Sequence, residues 1–171
     1  MNKSLVSMAI ALALAAGSAH AEHGAHRHSF SVDKTRTTSN GTFTSHTDQT
    51  ATANGFTRDT TRTNPQGQTA THEVSVVNDP ATKTHTREVS GTTFNGKSYS
   101  GEAVTQKTDT GYTREGEVTG PNGKTSSRDV VATVDKDNHS ITKDITKTGP
   151  DGQTTTSTVT KTYSKNDGGA E

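Results

Sequence analysis

Phe56-Thr57-Arg58-Asp59-Thr60-Thr61-Arg62-Thr63, then Asn64-Pro65-Gln66-Gly67, then Gln68-Thr69-Ala70-Thr71-His72-Glu73-Val74-Ser75-Val76 is the stretch that decides the fold. Its first segment alternates along the chain, and alternation of period two belongs to a β-strand. Asn64 opens a turn, Pro65 presets φ for it, and Gly67 accepts the positive φ that closes it. A second extended segment follows and carries Val74 and Val76. Strand, tight turn and strand together predict a β-hairpin.

The same pattern returns about every 28 residues, a spacing typical of repeat architectures. Gly111-Tyr112-Thr113-Arg114 leads to Gly120-Pro121-Asn122-Gly123, and Ile141-Thr142-Lys143 leads to Gly149-Pro150-Asp151-Gly152. A looser copy runs from His85-Thr86-Arg87 to Phe94-Asn95-Gly96, and a degenerate first copy from Phe30 to Asn40-Gly41. Arg58, Arg114 and Lys143 occupy one repeat position before the turn proline, and Val74, Val130 and Val159 another after it. The fold class expected is all-β, an antiparallel meander of about five β-hairpin repeats, as a thin sheet or a slim barrel, with no helix in the mature chain.

Charge gives a prediction of strand register. A four-residue loop sets Arg58 opposite Glu73, Arg87 opposite Glu102, Arg114 opposite Asp129 and Glu115 opposite Arg128. A three-residue loop with a glycine bulge instead sets Asp59 against Glu73 and Glu115 against Asp129. Facing like charges destabilise a sheet and facing opposite charges add roughly 0.2–1 kcal/mol each. The four-residue loop is therefore the expected register, in which Asp129→Arg rescues an Arg114→Glu variant.

Composition narrows the architecture further. Thr dominates the chain, and Leu, Met and Trp are confined to its first 21 residues or missing, which leaves little material for a thick core. Such poverty in large apolar residues is also a mark of disorder. Against disorder stand a net charge of +0, the phasing of the apolar residues with the repeat, and the stiff χ1 of Thr and Val, which favours pleated backbone. Backbone ladders, Thr–Thr contacts and Arg or Lys stems laid over apolar residues have to hold such a sheet. A neutral chain also argues against a nucleic-acid partner.

Residues 1–21 read as a cleavable signal peptide. Lys3 supplies the basic region, Leu5 to Ala16 the short apolar region, and Ala19-His20-Ala21 the small-x-small cleavage site. The apolar run is shorter than the roughly 20 residues that span a bilayer, so no integral membrane segment is expected after cleavage. The expected localisation is periplasmic or secreted, in the manner of a bacterial export substrate. The chain has 0 cysteines, so the domain is held without disulfides. The expected organisation is signal peptide 1–21, a flexible His-rich leader 22–29, the hairpin domain 30–163 and a polar tail 164–171.

Candidate sites are few. His23, His26 and His28 stand close to the expected mature N-terminus, and three imidazoles beside a free amine form a candidate site for Cu, Ni or Zn. His46, His72, His85 and His139 are spread singly along the strands and read as surface residues. No phosphate loop, nucleophile elbow or zinc-protease helix is present, and an enzyme is not expected. In kind the chain is similar to exported repetitive β proteins of bacterial surfaces and biofilm matrices. It lacks the Ser…Gln-x-Gly-x-Asn repeat of curli subunits, so neither their fold nor their secretion route is carried over. The expected role is structural or adhesive, with self-association or surface and matrix components as partners. The alternative expectation is periplasmic metal binding through the His cluster.

Overall fold

The structure is a computed structural model that describes residues 29–163. Ten strands follow one another: β1 (Phe30–Thr38), β2 (Gly41–Ala51), β3 (Gly55–Thr63), β4 (Thr69–Asp79), β5 (Thr84–Thr92), β6 (Ser98–Thr108), β7 (Gly111–Thr119), β8 (Thr125–Asp135), β9 (Ser140–Thr148) and β10 (Thr154–Thr162). Each pairs antiparallel with its sequence neighbours, in the order β1 to β10. The sheet is open rather than a closed barrel. β1 and β10 form its two edges, and no helix occurs among the described residues. The five expected hairpins are β1–β2, β3–β4, β5–β6, β7–β8 and β9–β10.

Four of the hairpins share one turn. In β3–β4 the Gly67 amide donates to the Asn64 carbonyl at 3.0 Å, and the Asn64 amide donates to the Gln68 carbonyl at 3.0 Å. The β7–β8 turn repeats this with Gly123 to Gly120 at 2.9 Å and Gly120 to Lys124 at 2.8 Å. Gly67 and Gly123 have φ of 77° and 72°, and Gly96 and Gly152 stand at the same place in the other two turns. This is a tight turn closed by a left-handed glycine bulge, one of the standard hairpin loops. Its consequence is the pairing of Thr63 with Thr69 and of Thr119 with Thr125.

That pairing corrects the register expected from charge. Asp59 faces Glu73, Glu88 faces Glu102, and Glu115 faces Asp129. The basic residues face apolar ones instead: Arg58 pairs with Val74, Arg87 with Ala103, Arg114 with Val130 and Lys143 with Val159. Two effects outweigh the carboxylate repulsion. A left-handed backbone costs an ordinary residue about 1–2 kcal/mol and glycine almost nothing, so the turn sequence selects the bulge. The exposed carboxylates repel each other through water, where unit charges 4 Å apart interact by only about 1 kcal/mol. Opposite them, each long basic stem lies beside a small apolar partner across the strand.

The basic and valine positions that mark the repeat are thus direct cross-strand partners. Val74, Val76, Val89, Ala103, Val130 and Ala132 are buried in a sheet with no second layer among the described residues. Arg58 lies over the Phe56 ring at 5.3 Å and Lys143 over Tyr112 at 5.7 Å. Basic stems of this kind exclude water from apolar neighbours while their charged ends stay solvated. Thr hydroxyls pair across strands as well, at 3.0 Å for Thr71–Thr92 and 2.9 Å for Thr119–Thr125.

Glu102 stands between Glu88 on β5 and Glu117 on β7. Glu102→Gln is therefore expected to stabilise the sheet by about 0.5 kcal/mol, measured as a higher urea midpoint, with the gain shrinking in high salt. Asp129→Arg is expected to give no rescue of Arg114→Glu, because Arg114 and Asp129 lie on opposite faces.

The connections between hairpins alternate. Lys83 and His139 end the four-residue turns after β4 and β8 with φ of 56° and 47°. Asp79 and Asp135 hold those turns by accepting hydrogen bonds from Ala81 N and from Asn138 N, both at 2.9 Å. At the intervening connections a glycine begins the strand, Gly55 for β3 and Gly111 for β7. The structural unit is therefore a pair of hairpins, β3–β6 and then β7–β10, twice the spacing legible in the sequence. Lys83→Gly is expected to raise stability by about 0.5–1 kcal/mol by removing left-handed strain, read as an increase in Tm.

Candidate interaction surface

Adjacent residues of a strand point to opposite faces, and the unbroken registers extend this across all ten strands. One face carries Phe56, Arg58, Val74, Val76, Arg87, Val89, Ala103, Arg114, Val130 and Lys143. Lys34, Arg36, Arg62, Lys107, Arg128, Lys147 and Lys161 lie on the same face. These are all the Arg and Lys residues within the strands. The other face carries Asp33, Asp48, Asp59, Glu73, Asp79 and Glu88. It also carries Glu102, Glu115, Glu117, Asp129, Asp135 and Asp144. These are all the strand carboxylates. A chain of net charge +0 is thus folded into one basic and apolar face and one acidic face rich in Thr and Ser.

The acidic face is ordered across the strands. Asp48, Asp59 and Glu73 face one another on β2, β3 and β4. Glu88, Glu102 and Glu117 do so on β5, β6 and β7. A shallow depression of about 250 Å³ lies between Asp59, Glu73 and Glu88, with Thr57, Ser75 and Ser90 at its sides. Ser90 donates to Glu73 at 3.1 Å. Val77 and Val131 stand on this face with 47% and 51% of their surface exposed.

His46 is the residue whose environment the sequence did not reveal. Its Nδ1 lies 2.7 Å from Asp33 and its Nε2 lies 2.6 Å from Asp48. Hydrogen bonds to Asp33 and then Asp48 raise its pKa, and hydrogen bonds from Ser31 and then His46 lower that of Asp48. With both ring nitrogens held by carboxylates, His46 in its protonated form clamps β1 to β2. These are the ion pairs found among the described residues. The signal for it is the alternation Asp33, His46, Asp48, readable only once the first hairpin is in register.

His72 and His85 lie on the basic face. His72 Nδ1 meets the Tyr99 hydroxyl at 2.8 Å, and that hydroxyl donates to the Thr71 carbonyl at 3.1 Å. The imidazole is thereby the donor to Tyr99. Burial, then Arg87, Arg62 and Arg58, lower the pKa of His72. Burial, then Arg114 and Arg87, lower that of His85, whose Nδ1 is 2.6 Å from Asn78 Oδ1. His139 packs edge-on against Tyr163 at 5.7 Å.

These shifts oppose one another in pH. The pairing of His46 contributes stability fully present below its unfolded value of about 6.5 and lost as pH rises through its raised folded value. His72 and His85 contribute stability that is full above about 6.5 and lost as pH falls through their lowered folded values. His46→Gln is expected to flatten the alkaline limb of a urea-midpoint profile, and His72→Gln the acid limb. Unchanged limbs in both variants would contradict the assignment.

His23, His26 and His28 lie outside the described residues. Among the described residues no group of three His, Cys, Asp or Glu side chains has metal-binding geometry, and no helix is long and apolar enough to cross a membrane. Comparison with protein families, with curated proteins and with solved structures finds no match to the chain.

Proposed function

We propose that this chain is an exported, non-enzymatic structural protein that works by β-sheet assembly at the cell surface or in an extracellular matrix. The observation that supports this most strongly is the single open layer, with two unpaired edge strands and an apolar face that has no covering element among the described residues. A sheet with one apolar face ordinarily buries that face against a second layer, and open strand edges accept further strands. The signal-like sequence of residues 1–21 supports an assembly beyond the cytoplasm.

The test has two arms. Cell fractionation of the full chain is expected to recover the protein outside the cytoplasm, shortened at its N-terminus. Sedimentation velocity on residues 22–171 is expected to show larger species as concentration rises. A cytoplasmic full-length protein would overturn the export reading. A strictly monomeric particle at every concentration would overturn the assembly reading.

A further inference from the structure

We propose that the protein assembles by stacking face to back, the basic and apolar face of one copy seated on the acidic face of the next. This rests on the assembly reading above and names its partner as a second copy of this chain.

The argument begins with what the sheet leaves unneutralised. Its strand cations stand on one face and its strand carboxylates on the other, and the ion pairs among the described residues belong to His46 alone. Each face is thus a field of like charge, which destabilises the isolated sheet. The two fields match in size, with 11 Lys and Arg residues of the strands on one face and 12 strand carboxylates on the other. A basic face meeting another basic face juxtaposes like charges, at a cost of several kcal/mol. A basic face meeting an acidic face neutralises both, and the charge pattern therefore selects the head-to-tail arrangement.

Apolar contacts support the same arrangement. Val77 and Val131 are exposed on the acidic face, while the valine and alanine cluster and Phe56 line the basic one. The extent is sufficient. Ten strands at about 4.8 Å spacing and nine to eleven residues at about 3.4 Å rise give a face of about 40 by 30 Å. That exceeds the roughly 800 Å² that each partner buries in a standard stable interface. A head-to-tail contact does not close on itself, so its product is a stack or filament rather than a dimer.

The experiment uses residues 22–171 and two triple variants whose fold is checked by circular dichroism. One reverses the basic face, Arg58→Glu with Arg87→Glu and Arg114→Glu. The other reverses the acidic face, Asp59→Lys with Glu88→Lys and Glu102→Lys. Wild type is expected to form large species that dissociate in high salt, because a charge-matched interface is screened. Each variant alone sets like charges against one another at its three reversed positions and is expected to need about 100-fold more protein to assemble, the scale of a few kcal/mol of repulsion. An equimolar mixture is expected to assemble again, because the reversed patch of one variant then meets the reversed patch of the other.

Variants that assemble as wild type does would overturn stacking while leaving assembly through strand edges intact. A mixture that stays monomeric while wild type assembles would also overturn it. Wild type that remains monomeric, but co-sediments with phosphatidylglycerol vesicles through its basic face, would overturn both stacking and self-assembly. Should the arginine variant lose its strand signal, the acidic-face variant decides alone, and assembly like that of wild type sinks the proposal.

Discussion

Gly111→Ala is expected to cost about 2–3 kcal/mol of stability, at the upper end for a single substitution. A Cβ at Gly111 would lie 1.9 Å from the Ala132 carbonyl oxygen, 2.8 Å from its carbon and 3.3 Å from the Thr133 Cα. All three are backbone atoms of β8, so no side-chain rotation relieves the clash. β7 is an interior strand, and the Val134 amide donates to the Thr110 carbonyl at 2.7 Å immediately beside the site. Moving either strand to admit a methyl group therefore breaks ladder hydrogen bonds on both sides. Gly55 holds the equivalent position in the preceding pair of hairpins, with a Cβ placed 1.6 Å from the Val76 carbonyl oxygen. Gly116 supplies the control within β7 itself, because its nearest neighbour stands at 3.5 Å. Gly116→Ala is expected to be near neutral, since alanine also loses less chain entropy than glycine on folding. Urea denaturation of the two variants decides the matter. A Gly111→Ala midpoint equal to that of Gly116→Ala would show that the strands part freely here.

The same two glycines mark the boundary of what the sequence made legible. Period-two alternation and the Pro-x-Gly turn were sufficient for the strands, the hairpins and their order. The longer unit was hidden, because the connections at Gly55 and Gly111 resemble those at Lys83 and His139 in spacing and differ in backbone conformation. The adjacency of Arg58 and Asp59, of Arg87 and Glu88, of Arg114 and Glu115 and of Lys143 and Asp144 already carried the surface. Neighbours on a strand point to opposite faces in any register, so these four pairs separate charge whatever the turn does. Reading them as partners across the sheet concealed that consequence. The clamp at His46 was hidden for a different reason, because its two carboxylates come together only through pairing of β1 with β2.

Register failed as a prediction because the charge term was weighed without the turn term, and the second large expected effect measures that hierarchy. Gly123→Val is expected to lower stability by about 2 kcal/mol, since a left-handed backbone costs about 1–2 kcal/mol for an L-residue and is least accessible to β-branched ones. Nothing beyond its own chain neighbours lies within 4 Å of a Cβ at Gly123, so the loss comes from the local backbone conformation and not from packing against the rest of the sheet. Gly123→Asn is then expected to recover part of it, because Asn enters the left-handed region more readily than other residues with side chains. Charge changes at the facing pair Glu115 and Asp129 work on a smaller scale, about 0.5 kcal/mol for neutralising either one. Thermal melts of Gly123→Val, Gly123→Asn and Asp129→Asn therefore order the terms. If Asp129→Asn moves Tm further than Gly123→Val, the carboxylates rather than the turn govern the pairing of β7 with β8. If the glycine variants dominate, the bulge sets the register and the register in turn places Arg114 over Val130. In that order of causes, the turn glycines indirectly assign Arg58, Arg114 and Lys143 to their valine partners, while the separation of charge between faces follows from strand alternation alone.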